Sequence, residues 1–591
     1  MCQERRPHPC ALGRERMPGR VPEPTAWEDE MTEALPSHAS VAARLIREDS
    51  RFAVERKQIN GTDYTVFANA PPNVRALFEQ AEEAYAGREM LVAGDHRWTY
   101  GEVRREVAAL AHALISHHGI GPGDRVAIGS RNHAEMILLV LAITATGASV
   151  VPLNAWGSGA ELLRALNDCG ARLVFADAER FARLAPVLPE GLTLIGIHDA
   201  PDTSRYESMR ACAPVWPEVD IAPEAEFAVM YSSGSSGVPK GVIQTHRNVI
   251  SAIWSWYLLR VMAPELAVPV RAPAMPAWLI ISPLFHVTAL YANFFQGLQT
   301  GAKIVLMPRW NADEAVDLIR AEGVTRISGV PTQSADLVET VERRGLTLPS
   351  LENITGGGDK RPAAQVEDLH RVFPATTIAI GWGMTETCAL GINLSGPEYL
   401  EHPDAAGRLA PPVQEMRIVD DAGRDVAPGE MGELLIRSPA VTPGYLNDAA
   451  ATAAVLRDGW LLTGDLARMG PEGFIQFCGR KKSMIVRGGE NIACAEVENA
   501  IYEHPAVEDA CVFAVPHPRL GETVGAAVHL LPGTSLTVEE LAGFLAPLVA
   551  RFKQPERLWV LDAPLPRGAT EKIDRKVIQR HCLSLQADGA R

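Results

Sequence analysis

The sequence has few cysteines, and their spacing fits neither a disulfide framework nor a metal site. Nine cysteines are scattered over 591 residues, without a CxxC pair, an HExxH motif or the spacing of a Cys/His finger. This excludes a small disulfide-stabilised scaffold and predicts that the protein builds no zinc site of its own. We therefore expect free thiols, a reducing compartment and a cytoplasmic protein.

Positively charged residues are also fewer than negatively charged ones. The chain has 56 Lys and Arg residues against 72 Asp and Glu residues, which gives a formal net charge of −16. A surface of this sign is repelled by a phosphate backbone. We therefore expect no nucleic-acid partner and no dominant binding to anionic membranes.

No uninterrupted apolar run is long enough to predict a transmembrane segment. The most apolar stretch, residues 136–153, contains Gly147 and Pro152. It is better explained by a buried helix over 133–146 followed by a strand over 149–153. The N-terminal arginines precede no apolar segment, so the pattern of a secretory signal is absent.

The residues that are present are typical of a globular protein with a large core. Hydrophobic residues make up 47% of the chain and charged residues 22%, which excludes disorder throughout. Capping-box patterns at Thr99–Glu102, Asn132–Glu135 and Ser158–Glu161 each begin a predicted helix. Because helices and strands alternate, we predict an α/β fold with mostly parallel sheets flanked by helices.

The pattern divides the chain into four parts. Residues 1–50 are rich in Pro, Glu and Arg and are predicted to be a disordered lead, whereas 51–478 form the large α/β domain. The charged stretch 479–483 is predicted to separate this domain from residues 484–591, a small α+β domain. Short exposed linkers of this kind are common domain boundaries.

The strongest functional signal is the segment Tyr231–Gly241, YSSGSSGVPKG. Its backbone N–H and hydroxyl groups can donate to the oxygens of a polyphosphate, and Lys240 adds a positive charge. It is not a Walker A loop, because Gly241 follows the lysine where a Ser or Thr would hold magnesium. The apolar strand predicted over 227–230 favours a phosphate loop over a flexible linker.

This segment resembles the phosphate signature of the adenylate-forming (AMP-binding) superfamily, which includes acyl-CoA synthetases, firefly luciferase and the adenylation domains of peptide synthetases. The resemblance extends from about residue 75 to about residue 580, with the main motifs in order. It implies a large N-terminal adenylate-forming domain and a small mobile C-terminal domain. In the loop, the implied phosphate-binding residues are Ser232, Ser233, Gly234, Ser235, Ser236, Gly237 and Lys240.

Two further glycine-containing segments match motifs of this family. The segment Gly381–Thr387, GWGMTET, follows a predicted strand and resembles a Tyr-Gly-x-Thr-Glu motif. The resemblance implies that Trp382 stacks on adenine in place of the usual tyrosine, that Thr385 contacts phosphate and that Glu386 helps to hold magnesium. The other residues implied to line the nucleotide and acyl sites are Gly356, Gly357, Gly358, Gly381, Gly383 and Met384.

The region around the hinge resembles the ribose-binding part of the family. Asp465 and Arg480 are fifteen positions apart, as are the carboxylate and guanidinium that contact ribose in these enzymes. The resemblance makes Lys482 the hinge residue about which the small domain rotates. It also implies that Gly488, Gly489 and Glu490 approach CoA when the thioester forms.

Two single residues complete the implied catalytic set. Lys572 takes the place of the catalytic lysine in the family's Gly-Lys-Ile motif, although Glu571 replaces the preceding glycine. His286 belongs to the segment SPLFHV, whose histidine lies between the nucleotide and carboxylate sites in the family. The implied catalytic residues are therefore Lys572, Glu386, Thr385 and His286.

The resemblance implies an ATP-dependent acid–CoA ligase that uses ATP, Mg²⁺ and CoA. It would activate an apolar carboxylic acid, foremost a medium- or long-chain fatty acid and secondly a ring-bearing acid, as an acyl adenylate. The segments 290–297 and 330–333 are candidates for the acyl pocket, although the aromatic residues there fit the core equally well. A carrier-protein loader, a luciferase-like oxygenase and a nucleotide-binding protein impaired by Glu571 remain alternatives, and a homodimer remains open.

Overall fold

The computed structural model describes residues 37–232, 239–268, 275–358, 361–487, 490–568 and 572–589. Two large sheets form the centre of the N-terminal part, and smaller, mostly antiparallel sheets follow toward the C-terminus. The helices are His38–Glu48, Val74–Tyr85, Tyr100–His118, Ala134–Ala145, Gly159–Cys169, Ala178–Leu184, Ser204–Arg210, His246–Met262, Val287–Ala289, Gln296–Gln299, Ala312–Glu322, Pro331–Arg344, Ala363–Val372, Pro397–Glu401, Ala449–Val455, Cys494–Tyr502, Val538–Leu545 and Arg575–Gly589, with a π-helix over Leu290–Phe295.

The first large sheet has seven strands, of which five neighbours run parallel. The remaining two strands, Lys240–Thr245 and Gly444–Tyr445, continue the sheet at one edge in antiparallel pairs. In spatial order the strands are Gly444–Tyr445, Lys240–Thr245, Glu226–Ser232, Ser149–Pro152, Arg125–Gly129, Leu173–Ala176 and Thr193–Gly196.

The second large sheet has nine strands, six of them neighbouring and parallel. The mostly parallel sheets predicted from the sequence are therefore present, and ligands bind at the carboxyl ends of such strands. In spatial order the strands are Arg408–Leu409, Ile392–Ser395, Thr377–Trp382, Asn353–Gly357, Arg326–Gly329, Ala277–Ile280, Lys303–Leu306, Glu89–Ala93 and His96–Thr99.

The apolar stretch near residue 140 is a buried helix, as predicted. All side chains of Ala134–Ala145 except Glu135 are buried, and they share one core with residues of both large sheets, such as Ile128 and Ile280. A helix that is apolar all round belongs in such an interior. Within the described ranges, no helix is long and apolar enough to span a membrane.

Two of the three predicted capping boxes are confirmed, and the third is wrong. Thr99 and Ser158 each accept a bond from the backbone three residues on, and a glutamate returns it. Asn132, by contrast, caps no helix. Its Oδ1, the atom that would cap the helix, accepts from the backbone N–H of Leu284 at 2.9 Å, and its NH₂ group donates to the carbonyl oxygens of Ser282 and Met307. These tertiary partners outcompete the local cap.

Part of the predicted disordered lead is ordered. The helix His38–Glu48 begins at Ser37, whose side chain accepts from the backbone of Ser40, and it buries Val41, Ala42 and Leu45. The expectation of disorder is therefore corrected for residues 37–50, which contribute to the large core. Residues 1–36 lie outside the described part of the chain.

The C-terminal part follows a five-stranded sheet whose last strand leads to the predicted hinge. This sheet contains Glu415–Val419, Gly432–Arg437, Trp460–Met469, Leu456–Arg457 and Ile475–Arg480. The short 3₁₀ turn Lys481–Ser483 comes next.

A small α+β unit with its own core then begins. Its sheet contains Glu490–Ala493, Met484–Arg487, Gly521–Leu530, Val507–His517 and Arg557–Val560. An eleven-residue strand, Val507–His517, pairs along its length with Gly521–Leu530. The seven cysteines within the described residues are all free, as their scattered spacing predicts.

Candidate active site

The predicted phosphate loop connects two antiparallel strands of the seven-stranded sheet. Ser232 ends the strand Glu226–Ser232, Lys240 begins the strand Lys240–Thr245, and these two residues are direct partners in the ladder. The structure therefore describes where the loop leaves the sheet and where it returns. The loop residues between them, Ser233, Gly234, Ser235, Ser236 and Gly237, lie outside the described residues.

Lys240 and Glu386 both contact Tyr445, a residue that the sequence analysis missed. Glu386 is 7% exposed, and its Oε1 accepts a hydrogen bond of 2.8 Å from the Tyr445 hydroxyl. The Nζ atom of Lys240 lies 4.8 Å from the centroid of the Tyr445 ring and 3.4 Å from Oδ2 of Asp448. A Gly-Tyr dipeptide carries no distinctive signal, so only the folded chain reveals this contact.

Thr385 and Glu386 lie in a 3₁₀ turn that is tied to the strand after the phosphate loop. Gln244, which is fully buried, donates from Nε2 to the carbonyl oxygen of Thr385 at 2.6 Å. The hydroxyl of Tyr291 donates to the other end of the same amide. Because both ends of a buried amide are satisfied, the turn is held firmly beside the strand Lys240–Thr245.

Trp382, Asp465 and Arg480 form one hydrogen-bonded group. The indole Nε1 of Trp382 donates to Oδ2 of Asp465 at 3.0 Å, and Nε of Arg480 lies 2.8 Å from Oδ1. Asp465 and Arg480 are partners on adjacent antiparallel strands, which explains why fifteen positions separate them. Burial raises the pKa of the Asp465 carboxyl, although Arg480, Trp382 and Lys572 act in the opposite direction.

The two glycine-rich segments lie side by side at the carboxyl edge of the nine-stranded sheet. Gly356 and Gly357 pair with Ile380 and Gly381 on the next parallel strand. At Gly383, a β-carbon would lie 2.2 Å from the carbonyl oxygen of Ala389, so no larger residue fits there. Met384, which follows, donates its backbone N–H to the Thr387 hydroxyl.

Lys572, from the small unit, reaches the large sheet at Gly358. A β-carbon placed on Gly358 would lie 3.3 Å from Cε and 3.6 Å from Nζ of Lys572. The lysine sits in a turn closed by a 2.7 Å bond from the Gly568 N–H to the Lys572 carbonyl oxygen. A residue more than two hundred positions away in sequence thus meets the second glycine segment, and Glu571 beside it lies outside the described residues.

His286 lies near the same lysine and is kept neutral by its surroundings. Its Nε2 atom is buried without a hydrogen-bond partner among the described residues. Burial, and secondarily the positive charge of Lys572, lowers the pKa of His286 to about 3. Its ring contacts that of Phe285, with centroids 4.3 Å apart, and Phe285 meets Trp156 edge to face at 4.9 Å.

Because His286 is neutral in the folded protein, we expect the protein to lose stability in acid. Its pKa is lower in the folded chain than the ordinary 6.5, so the unfolded chain binds a proton first, and stability falls as the pH drops below 6.5. At pH 5 this contribution amounts to up to about 2 kcal/mol. We expect His286→Asn to show a smaller decrease in thermal midpoint between pH 8 and pH 5 than the natural chain.

The matched control is His117→Asn, which changes an exposed histidine and should leave the pH dependence unaltered. An identical decrease in the natural chain and in His286→Asn would show that His286 is not buried in its neutral form.

The hinge and the segment after it are described only in part. Lys482 lies in the turn Lys481–Ser483. Lys481, just before it, is paired with Asp421 at 2.8 Å and with Glu433 at 3.2 Å. Gly488 and Gly489 lie outside the described residues, and Glu490 begins the strand Glu490–Ala493. The predicted role of this segment toward CoA therefore stays a prediction.

The donor set around Glu386 fits a magnesium ion that arrives with a nucleotide. In the portions of the chain that the structure covers, no three His, Cys, Asp or Glu side chains are grouped to hold a metal. Mg²⁺ is commonly bound by one or two carboxylates together with substrate phosphates and water. A single buried carboxylate beside a phosphate loop meets this requirement.

Comparison with protein families gives two matches along the chain. The family described as AMP-binding enzyme matches residues 77–446, and the one described as AMP-binding enzyme C-terminal domain matches residues 496–572. The first covers more than half of the chain and includes the phosphate loop. The second ends at Lys572.

Curated proteins similar to the chain are ligases of several carboxylic acids. Indoleacetate–CoA ligase of Aromatoleum aromaticum is 33% identical over 491 residues, 82% of this chain and 92% of the relative. Feruloyl-CoA synthase of an Amycolatopsis species is 33% identical, covering 82% and 93%. Medium-chain fatty-acid–CoA ligase of Escherichia coli is 31% identical, covering 82% and 85%.

Among solved structures, the fold is similar to that of o-succinylbenzoate CoA synthetase from Bacillus subtilis in complex with its acyl-adenylate intermediate. The TM-score is 0.73 at 29% identity, and the match covers 86% of this chain and 98% of the other. The same enzyme has been solved with ATP and a magnesium ion, with a TM-score of 0.72.

Proposed function

Because the chain belongs to the AMP-binding enzyme family and is an AMP-forming acid–CoA ligase that uses ATP, Mg²⁺ and CoA, we propose that its substrate is an apolar monocarboxylic acid. A medium- or long-chain fatty acid is the first candidate, and a ring-bearing acid is the second. The proposal concerns the acid and the roles of individual residues.

The surroundings of His286 support an apolar acid. Phe285 and Val287 flank it and are buried, and Val330 lies 3.8 Å from a β-carbon placed on Gly358. Lys572 is the charged group that acts on His286 within the described residues, and one cation suits one carboxylate. A second carboxylate on the substrate would lose its hydration without gaining a partner, which is costly.

The aromatic segment 290–297 is a poorer candidate for pocket lining than the sequence suggested. Tyr291, Phe294 and Phe295 are fully buried in the large core, and Phe227 packs against both Tyr291 and Phe295. We therefore assign these rings to the core and the acyl group to the space beside His286 and Val330.

In the proposed first step, a carboxylate oxygen of the acid attacks the α-phosphorus of ATP and pyrophosphate leaves. Lys572 supplies positive charge beside Gly358, where the carboxylate and the α-phosphate crowd together. The phosphate loop and Lys240 hold the leaving phosphates, and Asp465 and Arg480 hold the ribose. Glu386 would bind the magnesium ion, which neutralises phosphate charge when bound.

In the proposed second step, the CoA thiolate attacks the acyl carbon, and the bond from that carbon to the AMP oxygen breaks. We propose that the small domain rotates about Lys482 between the steps. The ion pairs of Lys481 with Asp421 and Glu433 fix the chain up to the hinge, so that the rotation begins at the next residue.

An acid panel tests this proposal. Octanoate, palmitate, indoleacetate and ferulate are each supplied with Mg·ATP, with and without CoA, and malonate serves as the dicarboxylate control. We expect AMP to form with CoA and an apolar acid, and not with malonate.

The other outcomes of the panel would contradict parts of the proposal. A preference for malonate would contradict the apolar acid. Pyrophosphate exchange without CoA turnover would indicate a carrier-protein loader, oxygen-dependent light a luciferase-like oxygenase, and no exchange at all a nucleotide-binding protein without chemistry.

A further inference from the structure

Tyr445 joins Lys240, which is assigned to the phosphates, and Glu386, which is assigned to the magnesium ion. Its hydroxyl donates to Glu386 at 2.8 Å, and its ring lies under Nζ of Lys240 with 4.8 Å from that atom to the centroid. The motifs from which the site was predicted lie elsewhere in the sequence and do not include this residue.

The backbone around Tyr445 fixes its position relative to the phosphate loop. The strand Gly444–Tyr445 pairs with Lys240–Thr245, so that Tyr445 lies opposite Val242. The N–H of Leu446 then donates to the carbonyl oxygen of Gly241 at 2.7 Å. The strand is therefore attached at both ends to the segment that follows the loop.

A second backbone bond connects the same strand region to the turn that carries Glu386. The N–H of Thr442 donates to the carbonyl oxygen of Glu386 at 2.8 Å, and the hydroxyl of Thr442 donates to the carbonyl oxygen of Ile243. Residues 442–446 thus connect the carboxylate with the strand Lys240–Thr245 through main chain as well as side chain.

The chemistry of the contact suits a carboxylate that must keep its charge. The phenol of Tyr445 is a neutral hydrogen-bond donor, and it lies 2.8 Å from Oε1 of Glu386. A neutral donor restricts the rotation of the carboxylate without neutralising it, whereas a lysine or arginine would compete with a cation. Within the residues that the structure describes, no lysine or arginine is paired with Glu386.

We propose that Tyr445 is a positioning residue for Glu386, which it holds in the orientation that receives the magnesium ion of Mg·ATP. This inference rests on the role proposed above for Glu386. It assigns to Tyr445 a contribution to nucleotide binding that depends on the metal, because the hydroxyl acts through the carboxylate and not on the nucleotide itself.

The variant Tyr445→Phe tests the inference, since it removes the hydroxyl and keeps the ring beside Lys240. We expect calorimetric titration of the full chain with ATP to show a Kd about tenfold weaker in the presence of Mg²⁺, as for loss of a hydrogen bond to a charged group. In the presence of EDTA, the Kd for ATP should equal that of the natural chain.

The matched control is Tyr100→Phe, which removes a buried hydroxyl that donates to the carbonyl oxygen of Ala302 at 2.9 Å. It should leave the Kd unchanged with and without Mg²⁺. If Tyr445→Phe raises the Kd for ATP equally with Mg²⁺ and with EDTA, Tyr445 has only a structural role. A Kd that is unchanged under both conditions would also overturn the inference.

The Kd of the natural chain for ATP separates a failure of the role proposed for Glu386 from a failure of the inference about Tyr445. If its affinity for ATP is the same with Mg²⁺ as with EDTA, the role of Glu386 fails and the inference about Tyr445 fails with it. If the natural chain requires Mg²⁺ and the variant retains the full requirement, only the assignment of Tyr445 is wrong.

Discussion

Replacement of Lys572 by alanine should lower the rate of acyl-adenylate formation by about 10²–10³, the cost of removing one well-placed charge-stabilising group. Thioester formation from a supplied acyl adenylate should be largely unaffected. The reason is that Lys572 contacts the Gly358 region in the pose that the structure shows, whereas the rotation proposed above for the small domain would move it away before the thioester forms.

The two half-reactions are measured separately, by pyrophosphate exchange and by the release of AMP from the isolated acyl adenylate with CoA. Lys576→Ala, which removes an exposed lysine from the following helix, is the matched control and should retain both rates. Equal losses of both half-reactions in Lys572→Ala would contradict the assigned role.

Asp465→Asn should weaken ATP binding by about 10²-fold and, unlike the lysine variant, impair both half-reactions. Asp465 accepts from Trp382 and Arg480 on different oxygens. Because an amide offers only one acceptor atom, its NH₂ group would face one of these two donors. Because Asp465 is buried, leaving one of these donors without an acceptor there typically costs about 1–3 kcal/mol.

The measurement is the Kd for ATP together with the KM for a supplied acyl adenylate, since both ligands carry the ribose. Asp425→Asn is the matched control, because Asp425 forms an exposed pair with Arg417 at 2.7 Å and such pairs contribute little. Normal binding of the acyl adenylate by Asp465→Asn would show that Asp465 does not contact the ribose.

Local sequence patterns predicted the elements whose partners lie close by in the sequence. The predictions of capping boxes at Thr99 and Ser158 are confirmed. The two halves of each box are only three residues apart, and among the described residues no distant hydrogen-bond partner competes for them. Asn132 has the same local pattern, but its Oδ1 accepts from the backbone N–H of Leu284, 152 positions away. No local pattern distinguishes these cases.

The motifs located most of the candidate site, but not the contacts within it. The spacing of Asp465 and Arg480 indicated a pair, and their strand register explains it. The bond from Trp382 to Asp465 could not be predicted from the motif. The motif usually has a tyrosine at this position, and a phenol hydroxyl donates from a different place than an indole N–H. Tyr445 was missed for a related reason, since its importance comes only from the two groups that it touches.

The helix His38–Glu48 shows a further limit of composition as a guide. The lead is rich in charged residues, but Val41, Ala42 and Leu45 lie on one face of the helix and are buried. Arg44 of this helix pairs with Glu265, which lies beyond the end of a helix of the large domain. A short amphipathic segment next to a polar stretch is easily overlooked when the stretch is judged as a whole.

The central claim is that the acid becomes a mixed anhydride with AMP, and an isotope experiment tests it most directly. The natural chain is given Mg·ATP, CoA and an apolar acid whose carboxylate oxygens are oxygen-18, and the products are examined by mass spectrometry. We predict that one labelled oxygen appears in AMP, because the carboxylate oxygen that attacked the α-phosphorus stays there when the thiolate displaces it. Label in inorganic phosphate, with ADP as the nucleotide product, would contradict the claim.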